Sequence, residues 1–482
     1  MSSDPMSRHP RARRTFRRRL LGTVLALATL ATALGIAGAT QGPRLTGADV
    51  DPVRSVQLAG QQLRLDLNQQ IAALDVDGVT VSPSTPVTVT HDASSIVVTF
   101  LRPLDYSRDY TVTVPDVVGA FGDARATVSH TFRTSDEYAY SLLRRSHTGE
   151  TDAVLRRPPD RPGDQEIVFT AARIKDFAHY GDVMAAVTIN ANGNDTVYVA
   201  VPGAAEPQEI TLPTVGSIRS LATSATNPLL GFVVTSAQGN GERMFENALF
   251  TVDLSGVVDS TARPVERSDG SVLPVMDWVF VPGTTSIVAQ DYDEALFLVD
   301  LAGISPTTPV GRHSELRGFL PGTTTLVVAD PDGGSLIDLT AGTTTAIELP
   351  ESDRAAGRYL GKAALLDSDG SHLLALSAPS APSPPSLPSS ADEVTARESV
   401  LTYVTASGSR TVYEPPATST IRDYCVSPNG QFVAVETTGA DSVPDGYPGG
   451  GGFTNTLTLL VEISSGRMVA SLSGGSSDWC SD

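Results

Sequence analysis

The chain has 482 residues, of which 40% are apolar and 18% charged, so it is long enough for two or three globular domains. Its 42 glycines and 33 prolines favour many turns and little helix. Residues 1–19 carry a net charge of +6 and the remainder carries −26, which argues against nucleic acid as a partner because so acidic a body repels phosphate. The acidity suits either a cationic partner or the soluble surface of a secreted protein.

The first forty residues resemble an export segment. Residues 11–19 read RARRTFRRR, and an uncharged run of twenty residues follows at 20–39, long enough to span a bilayer. The basic flank predicts that 1–19 is a cytoplasmic segment and that the later part of the chain lies beyond the membrane. Ala37 and Ala39 are small residues at the positions that a signal peptidase inspects. Residues 20–39 are therefore either a cleaved signal peptide or a retained transmembrane helix.

Two further features bear on export. Residues 13–16, Arg-Arg-Thr-Phe, resemble the twin-arginine export motif, although Arg17 stands where that family has an apolar residue. No cysteine lies near the end of the apolar run, which argues against a lipoprotein anchor. We therefore expect either a single-pass protein of the cell membrane, with its C-terminal part extracytoplasmic, or a protein secreted after signal cleavage.

The chain has two cysteines, Cys425 and Cys480. In an oxidising compartment such a pair predicts a disulfide, which would close a loop of about 55 residues and contribute about 4 kcal/mol. Neither cysteine has a histidine or another cysteine at ligand spacing, so no metal site is predicted there.

Residues 43–135 predict a β-sandwich. Apolar and polar residues alternate in short runs rich in Val, Thr and Ile, and Gly, Pro, Asn and Asp separate these runs. The segments 63–71 (LRLDLNQQI), 74–83 (LDVDGVTVSP), 100–104 (FLRPL) and 130–134 (HTFRT) resemble the SbsA-type bacterial Ig-like domain. This resemblance implies a spacer or adhesive module without catalysis.

Residues 136–482 contain a repeat. The strand-turn-strand segment 280–289 (FVPGTTSIVA) returns at 319–328 (FLPGTTTLVV), and two further copies stand at 366–375 and 426–434. Their Pro-Gly, Asp-Gly and Asn-Gly turns suit tight hairpins. Four-stranded units that recur every 40 to 60 residues, roughly, predict a β-propeller, because each sheet buries its faces against its neighbours. The units stand at 173–215, 217–266, 275–311, 314–350, 360–416 and 421–474.

Strands left over at both ends predict about seven four-stranded blades. Three strands between 138 and 171 and one near 477–480 would form the ring-closing blade, because Ser-Asp-Trp-Cys at 477–480 echoes Arg-Asp-Tyr-Cys at 422–425. The turn at 427–430 with its flanking strands resembles TolB-type and other tryptophan-aspartate-like propellers. The Pro/Ser-rich segment 378–390 predicts a disordered surface loop, and 441–453 predicts a flexible one.

No sequence pattern commits the chain to a reaction. The seven histidines stand in no metal-ligand spacing and are predicted to be surface or turn residues. There is no nucleophile elbow, Walker loop or dinucleotide fingerprint, so no catalytic, cofactor-binding or metal-binding residue is predicted. Acidic residues at 291, 293, 294, 330 and 332 lack the spacing of a dedicated calcium loop.

Three hypotheses follow. The first is a non-enzymatic binding or scaffold protein of the bacterial cell envelope, in which an Ig-like stalk presents the propeller to a protein or glycan. The second is a propeller-fold hydrolase or lyase acting on envelope polysaccharide, which requires a deep axial cavity with two or more carboxylates of raised pKa. The third is a sensory or secretion-system component coupled through an uncleaved helix at 20–39.

Overall fold

The structure is a computed structural model. It describes residues 10–39, 42–120, 124–159, 163, 165–237, 244–256, 261–267, 270–304, 306–331, 333–347, 359–377, 399–448, 452–477 and 479. Two compact units are present. Unit 1 comprises Met1–Asp51, Gln61–Leu101 and Asp109–Arg133, and unit 2 comprises Pro52–Gly60, Arg102–Arg108 and Thr134–Asp482.

Unit 1 begins with a helix, α1, which spans Pro10–Ala39. Within the part of the chain that the structure describes, no helix is long and apolar enough to cross a membrane. The side chains of Ala37 and Ala39 lie outside the described part.

The rest of unit 1 forms two antiparallel sheets. Its strands are β1 (Leu45–Asp49), β2 (Gln62–Leu67), β3 (Ile71–Ala73), β4 (Thr80–Ser82), β5 (Val87–His91), β6 (Ser95–Phe100), β7 (Asp109–Gly119) and β8 (Arg125–Arg133). One sheet has the order β1-β2-β6-β5, and the other has the order β3-β7-β4 with β8 paired to β7. Apolar and polar residues alternate along β2 and β6, and the apolar side chains of Leu63, Leu65 and Val98 are buried. Phe100 and Phe132, one from each sheet, have ring centroids 6.0 Å apart, so the apolar faces of the sheets meet.

Unit 2 starts with a short helix, α2 (Arg54–Gln57), and continues as a series of sheets. Its strands are β9 (Ala139–Leu143), β10 (Asp152–Arg157), β11 (Glu166–Ala171), β12 (Ile174–Tyr180), β13 (Val183–Ile189), β14 (Asp195–Ala200), β15 (Gln208–Glu209), β16 (Gly216–Thr223), β17 (Leu229–Ser236), β18 (Ala248–Asp253), β19 (Arg263–Pro264), β20 (Asp277–Phe280), β21 (Ser286–Gln290), β22 (Ala295–Asp300), β23 (Thr308–Arg312), β24 (Glu315–Phe319), β25 (Thr325–Asp330), β26 (Gly333–Asp338), β27 (Thr343–Ile347), β28 (Tyr359–Leu365), β29 (His372–Ser377), β30 (Ser399–Thr405), β31 (Gly408–Tyr413), β32 (Ser419–Val426), β33 (Phe432–Gly439), β34 (Thr456–Glu462) and β35 (Arg467–Ser473).

The strands of unit 2 pair in chain order. Among the described residues they form six antiparallel four-stranded sheets, from β12-β13-β14-β15 to β32-β33-β34-β35, and one three-stranded sheet, β11-β10-β9. The six sheets coincide with the six repeat units predicted from the sequence. The predicted all-β propeller is therefore confirmed at the level of its four-stranded sheets.

Apolar clusters join each sheet of unit 2 to the next. Phe232 and Phe250 of one sheet share a cluster with Val187 of the sheet before it, and Trp278 shares another with Leu249. The series returns to its start, since Ala139 of β9 packs with Leu460 and Leu472 of the last sheet. At the same place the backbones of Leu142 and Gly475 exchange hydrogen bonds of 2.7 and 3.1 Å. Residues near the C-terminal end of the described chain thus contact the first sheet of unit 2 and close the ring. The predicted fourth strand of the ring-closing blade, at 477–480, is not among the described strands, and residues 478 and 480 lie outside the described part.

The first strand of each four-stranded sheet is the innermost, and three of these strands share an Asp-aromatic pair. The pairs are Asp176-Phe177, Asp277-Trp278 and Asp423-Tyr424, and in each the Asp Oδ1 accepts the N–H of the next residue at 2.8 to 2.9 Å. All three aromatic side chains are buried between sheets. The repeat thus places the ring in the core between sheets, while the aspartate beside it binds the backbone N–H.

Candidate ligand-binding site

A cavity of about 400 Å³, here called the axial cavity, lies where the inner strands of unit 2 end. Its wall includes the ends of β12 and β16, the stretch 135–138 that leads into β9, and the single residue Trp479. Helix α2 contributes Val56 and Gln57. Side chains far apart in sequence thus meet at one place, which is usual for small-molecule sites in closed β folds.

Aromatic rings make up much of this wall. They are Tyr106, Tyr138, Tyr140, His179, Tyr180 and Trp479. Tyr140 and His179 stack with ring centroids 4.0 Å apart, and His179 Nδ1 lies 3.2 Å from the carbonyl oxygen of Gly181, so the imidazole is held in place. Flat rings of this kind present a π face to a ligand and lose little entropy on binding.

Carboxylates supply the charge of the axial cavity. Asp136, Glu137 and Asp182 lie in the wall, and its described residues include neither Lys nor Arg. Asp136 accepts a hydrogen bond of 2.8 Å from Ser107 Oγ, and Asp182 pairs with Arg156 at 3.1 Å. The cavity is therefore both aromatic and acidic.

A second cavity of about 210 Å³ adjoins the first. Both have Gln57, Val426 and Trp479 in their walls. Gln57 Nε2 donates to the carbonyl of Ala225 at 3.2 Å. The indole N–H of Trp479 is buried and has no acceptor among the described residues. A ligand oxygen that reached this N–H would satisfy it, and a buried donor without an acceptor is costly.

The hairpin turns predicted from the sequence hold the two short segments of unit 2, Pro52–Gly60 and Arg102–Arg108. Ala59 N–H donates to the carbonyl of Gly322 at 2.8 Å, and Asn429 Nδ2 donates to the carbonyl of Leu104 at 3.0 Å. Gly322 has a positive φ of 66°, and a Cβ there would lie 2.2 Å from Pro103 Cγ. Glycine at this turn therefore allows the close approach that places Gln57 and Tyr106 at the axial cavity.

Polar groups are concentrated where the inner strands begin, away from the axial cavity. Asp152 opens β10, the middle strand of the three-stranded sheet, and Asp195 opens β14, the third strand of the next sheet. Each accepts the N–H of an inner strand, from Ile174 at 2.8 Å and Ile218 at 2.7 Å. Asp195 Oδ2 also lies 2.7 Å from Lys175 Nζ, and both side chains are buried. These carboxylates join neighbouring sheets.

Two carboxylates near this end have altered pKa values. Burial raises the pKa of Asp176 to about 6, although the backbone N–H groups of Leu221 and Phe177 oppose the rise. Burial also raises the pKa of Glu436, where the N–H of Ser476 opposes the rise and the charge of Asp423 adds to it. Asp176 accepts the N–H of Leu221 in the neighbouring inner strand, and Glu436 accepts the N–H of Ser476, which follows β35, so both carboxylates have a structural role as well as a raised pKa.

The residues singled out from the sequence have different outcomes. Cys425 has no free thiol and lies in the wall of the 210 Å³ cavity, but Cys480 is outside the described residues, so their pairing stays a prediction. The segment 378–390 is also outside them. No group of three or more metal-ligating side chains lies together in the described ranges.

Two expectations about side chains were wrong. His372, at the start of β29, is 6% exposed and is therefore not a surface residue. The segment 441–453 is not simply a flexible loop, because Asp445 forms a buried ion pair of 2.9 Å with Arg144, and the ring of Tyr447 is buried. The Gly-rich composition of 441–453 gives no sign of these contacts, because the partner residues are distant in sequence. The sequence did not indicate the cavity.

No protein-family model matches the chain, and no curated protein matches it. Among solved structures it is similar to the periplasmic gluconolactonase of Pseudomonas aeruginosa, with 16% identity over 71% of this chain and 98% of that one and a TM-score of 0.39. It is also similar to the β-propeller domain of the trilobed protease from Pyrococcus furiosus, with 9% identity, coverage of 76% and 95%, and a TM-score of 0.39. A putative TolB from Agrobacterium tumefaciens has 10% identity, coverage of 71% and 91%, and a TM-score of 0.30. The propeller assignment rests on the sheet order of this chain.

Proposed function

We propose that this chain is a non-enzymatic binding protein of the bacterial cell envelope whose propeller holds a ligand in the axial cavity. The observation that carries the proposal is a cavity of about 400 Å³ with six aromatic rings in its wall. Its volume falls in the range of small-molecule sites, and rings from several strands form a preorganised surface. The ligand would be a glycan or the side chains of an envelope protein.

The same proposal covers the export of the chain and the role of unit 1. The basic and apolar segments 1–19 and 20–39 would export the chain, and the two sheets of unit 1 would serve as an SbsA-type Ig-like spacer. Mass spectrometry of the mature N-terminus, in membrane and culture supernatant, separates a start at Thr40 from an intact arginine-rich end. Detection of the intact protein in the cytosol alone would contradict export.

Ligand binding can be read from tryptophan fluorescence, because the two tryptophans differ in environment. Trp278 is fully buried, whereas Trp479 is in the cavity wall. In a Trp278→Phe variant, we expect cell-wall polysaccharide or a solubilised envelope fraction to shift the emission of Trp479 and to reduce its quenching by acrylamide. The matched Trp479→Phe variant, which keeps only Trp278, should show neither change. A saturable response in that control with none in the first variant would place binding elsewhere.

A second candidate function, a hydrolase or lyase of envelope polysaccharide, is favoured by one observation. Burial raises the pKa of Asp176 to about 6 and also raises the pKa of Glu436, the direction that a general acid at neutral pH needs, although the charge of Arg144 opposes both rises and neither residue lies in the wall of the axial cavity. If the chain cleaves polysaccharide, release of new chain ends should fall at least about a hundredfold in Asp176→Asn. Equal release by the variant and the native chain would eliminate this candidate.

A further inference from the structure

We infer that the axial cavity binds the ammonium group of an organic cation. This inference rests on the proposed function and specifies the ligand class of the same site. Three kinds of observation support it: the aromatic faces, the sign of the charge and the arrangement of hydrogen-bond donors.

The aromatic faces suit a cation. Tyr138, Tyr180 and Trp479 belong to three different parts of the wall, and the π face of such rings attracts ammonium and guanidinium groups. The protein itself contains a contact of this kind outside the cavity wall, because the Arg156 guanidinium lies 4.8 Å from the ring centroid of Tyr138. A ligand cation would therefore depend mainly on the rings of Tyr180 and Trp479.

The charge has the matching sign. Asp136, Glu137 and Asp182 are in the wall, Asp182 is paired with Arg156 at 3.1 Å, and His179 is the only basic side chain among the described residues of the wall. Beyond residue 19 the chain carries −26, so its overall field attracts cations toward the protein. An anionic ligand would meet repulsion both on approach and in the cavity.

A hydrogen-bond donor near the cavity indicates a second chemical group on the ligand. The indole N–H of Trp479 has no acceptor in the described part of the chain, but it is shielded from solvent, so a ligand oxygen would reach it only if the ring turned. If the ring turns on binding, an ammonium group with a hydroxyl or carbonyl oxygen a few bonds away fits better than a bare ammonium ion. A neutral sugar could use the same rings but would gain nothing from the carboxylates.

Choline and its uncharged carbon isostere, 3,3-dimethylbutan-1-ol, test the inference directly, because they differ in charge and hardly in shape. In calorimetry and in Trp479 fluorescence of the Trp278→Phe protein, we expect choline to bind at least about tenfold more tightly than the isostere. Glu137→Gln should weaken choline severalfold, and this effect should shrink in high salt. Asp369→Asn, which changes an exposed turn carboxylate, is the matched control and should bind choline normally.

The outcomes separate this inference from the proposed function. Equal affinity for choline and the isostere, or binding of glucose but not of choline, would overturn the ammonium assignment and leave the cavity as a ligand site. If the envelope fraction alters Trp479 emission and choline does not compete, the ammonium assignment also fails alone. If neither choline nor any envelope fraction affects Trp479, both proposals fail.

Discussion

Asp195→Ala is expected to lower the free energy of unfolding by about 3–5 kcal/mol. The substitution leaves the Lys175 ammonium buried without a carboxylate, and it removes the acceptor of the Ile218 N–H. Lys175 is one of only two lysines in the chain, and its Nζ also donates to the Ile218 carbonyl at 2.6 Å. Urea unfolding followed by circular dichroism measures the loss.

A double variant checks the cause. In Lys175→Met with Asp195→Ala no charge remains uncompensated, so stability should recover in part relative to Asp195→Ala alone. Asp369→Ala removes an exposed carboxylate and should change stability by no more than about 0.5 kcal/mol. A loss as small for Asp195→Ala as for Asp369→Ala would show that the buried pair does not hold the sheets together.

Trp278→Ala should cost about 3–5 kcal/mol of unfolding free energy, because it empties the space of a fully buried side chain between two sheets. The ring packs on Gly231, where an added Cβ would lie 2.3 Å from its Cη2 atom, and against Phe280 at a centroid distance of 5.1 Å. Thermal and urea unfolding give the size of the effect.

Gly231→Ala probes the same contact by overfilling it and should cost about 1–3 kcal/mol. Combining it with Trp278→Phe provides room for the new methyl group, so the double variant should lose less stability than the sum of the two single losses. Strict additivity of the two losses would mean that Gly231 and Trp278 do not pack as described.

Much of the fold was predictable because its signals are local and repeated. The turns at 282–283 and 321–322 and the alternating runs beside them specify hairpins without reference to distant residues. The innermost strands of the six repeat units could therefore be assigned from the sequence. The strand predicted at 477–480 from its likeness to 422–425 stays a prediction, because the described bridge between the two ends of unit 2 forms at Leu142 and Gly475 and residues 478 and 480 lie outside the described part.

The candidate site was not predictable, because it depends on contacts between distant parts of the chain. Gln57, Tyr138, Tyr180 and Trp479 share no spacing, and they meet only because several inner strands end around one axis. Nor does the sequence distinguish Asp195, which bonds two sheets, from exposed aspartates in turns. Tertiary packing, which local patterns do not encode, decides these roles.

The most direct test of the account is hydroxyl-radical footprinting of the native chain with and without a cell-wall polysaccharide fraction. If a ligand occupies the axial cavity, oxidation of Tyr138, Tyr180 and Trp479 should decrease. Oxidation of Tyr292 and Met468, which are 56% and 57% exposed, should stay the same. Protection of Tyr292 or Met468, with the three cavity residues oxidised as before, would contradict the account and place the binding surface elsewhere on the protein.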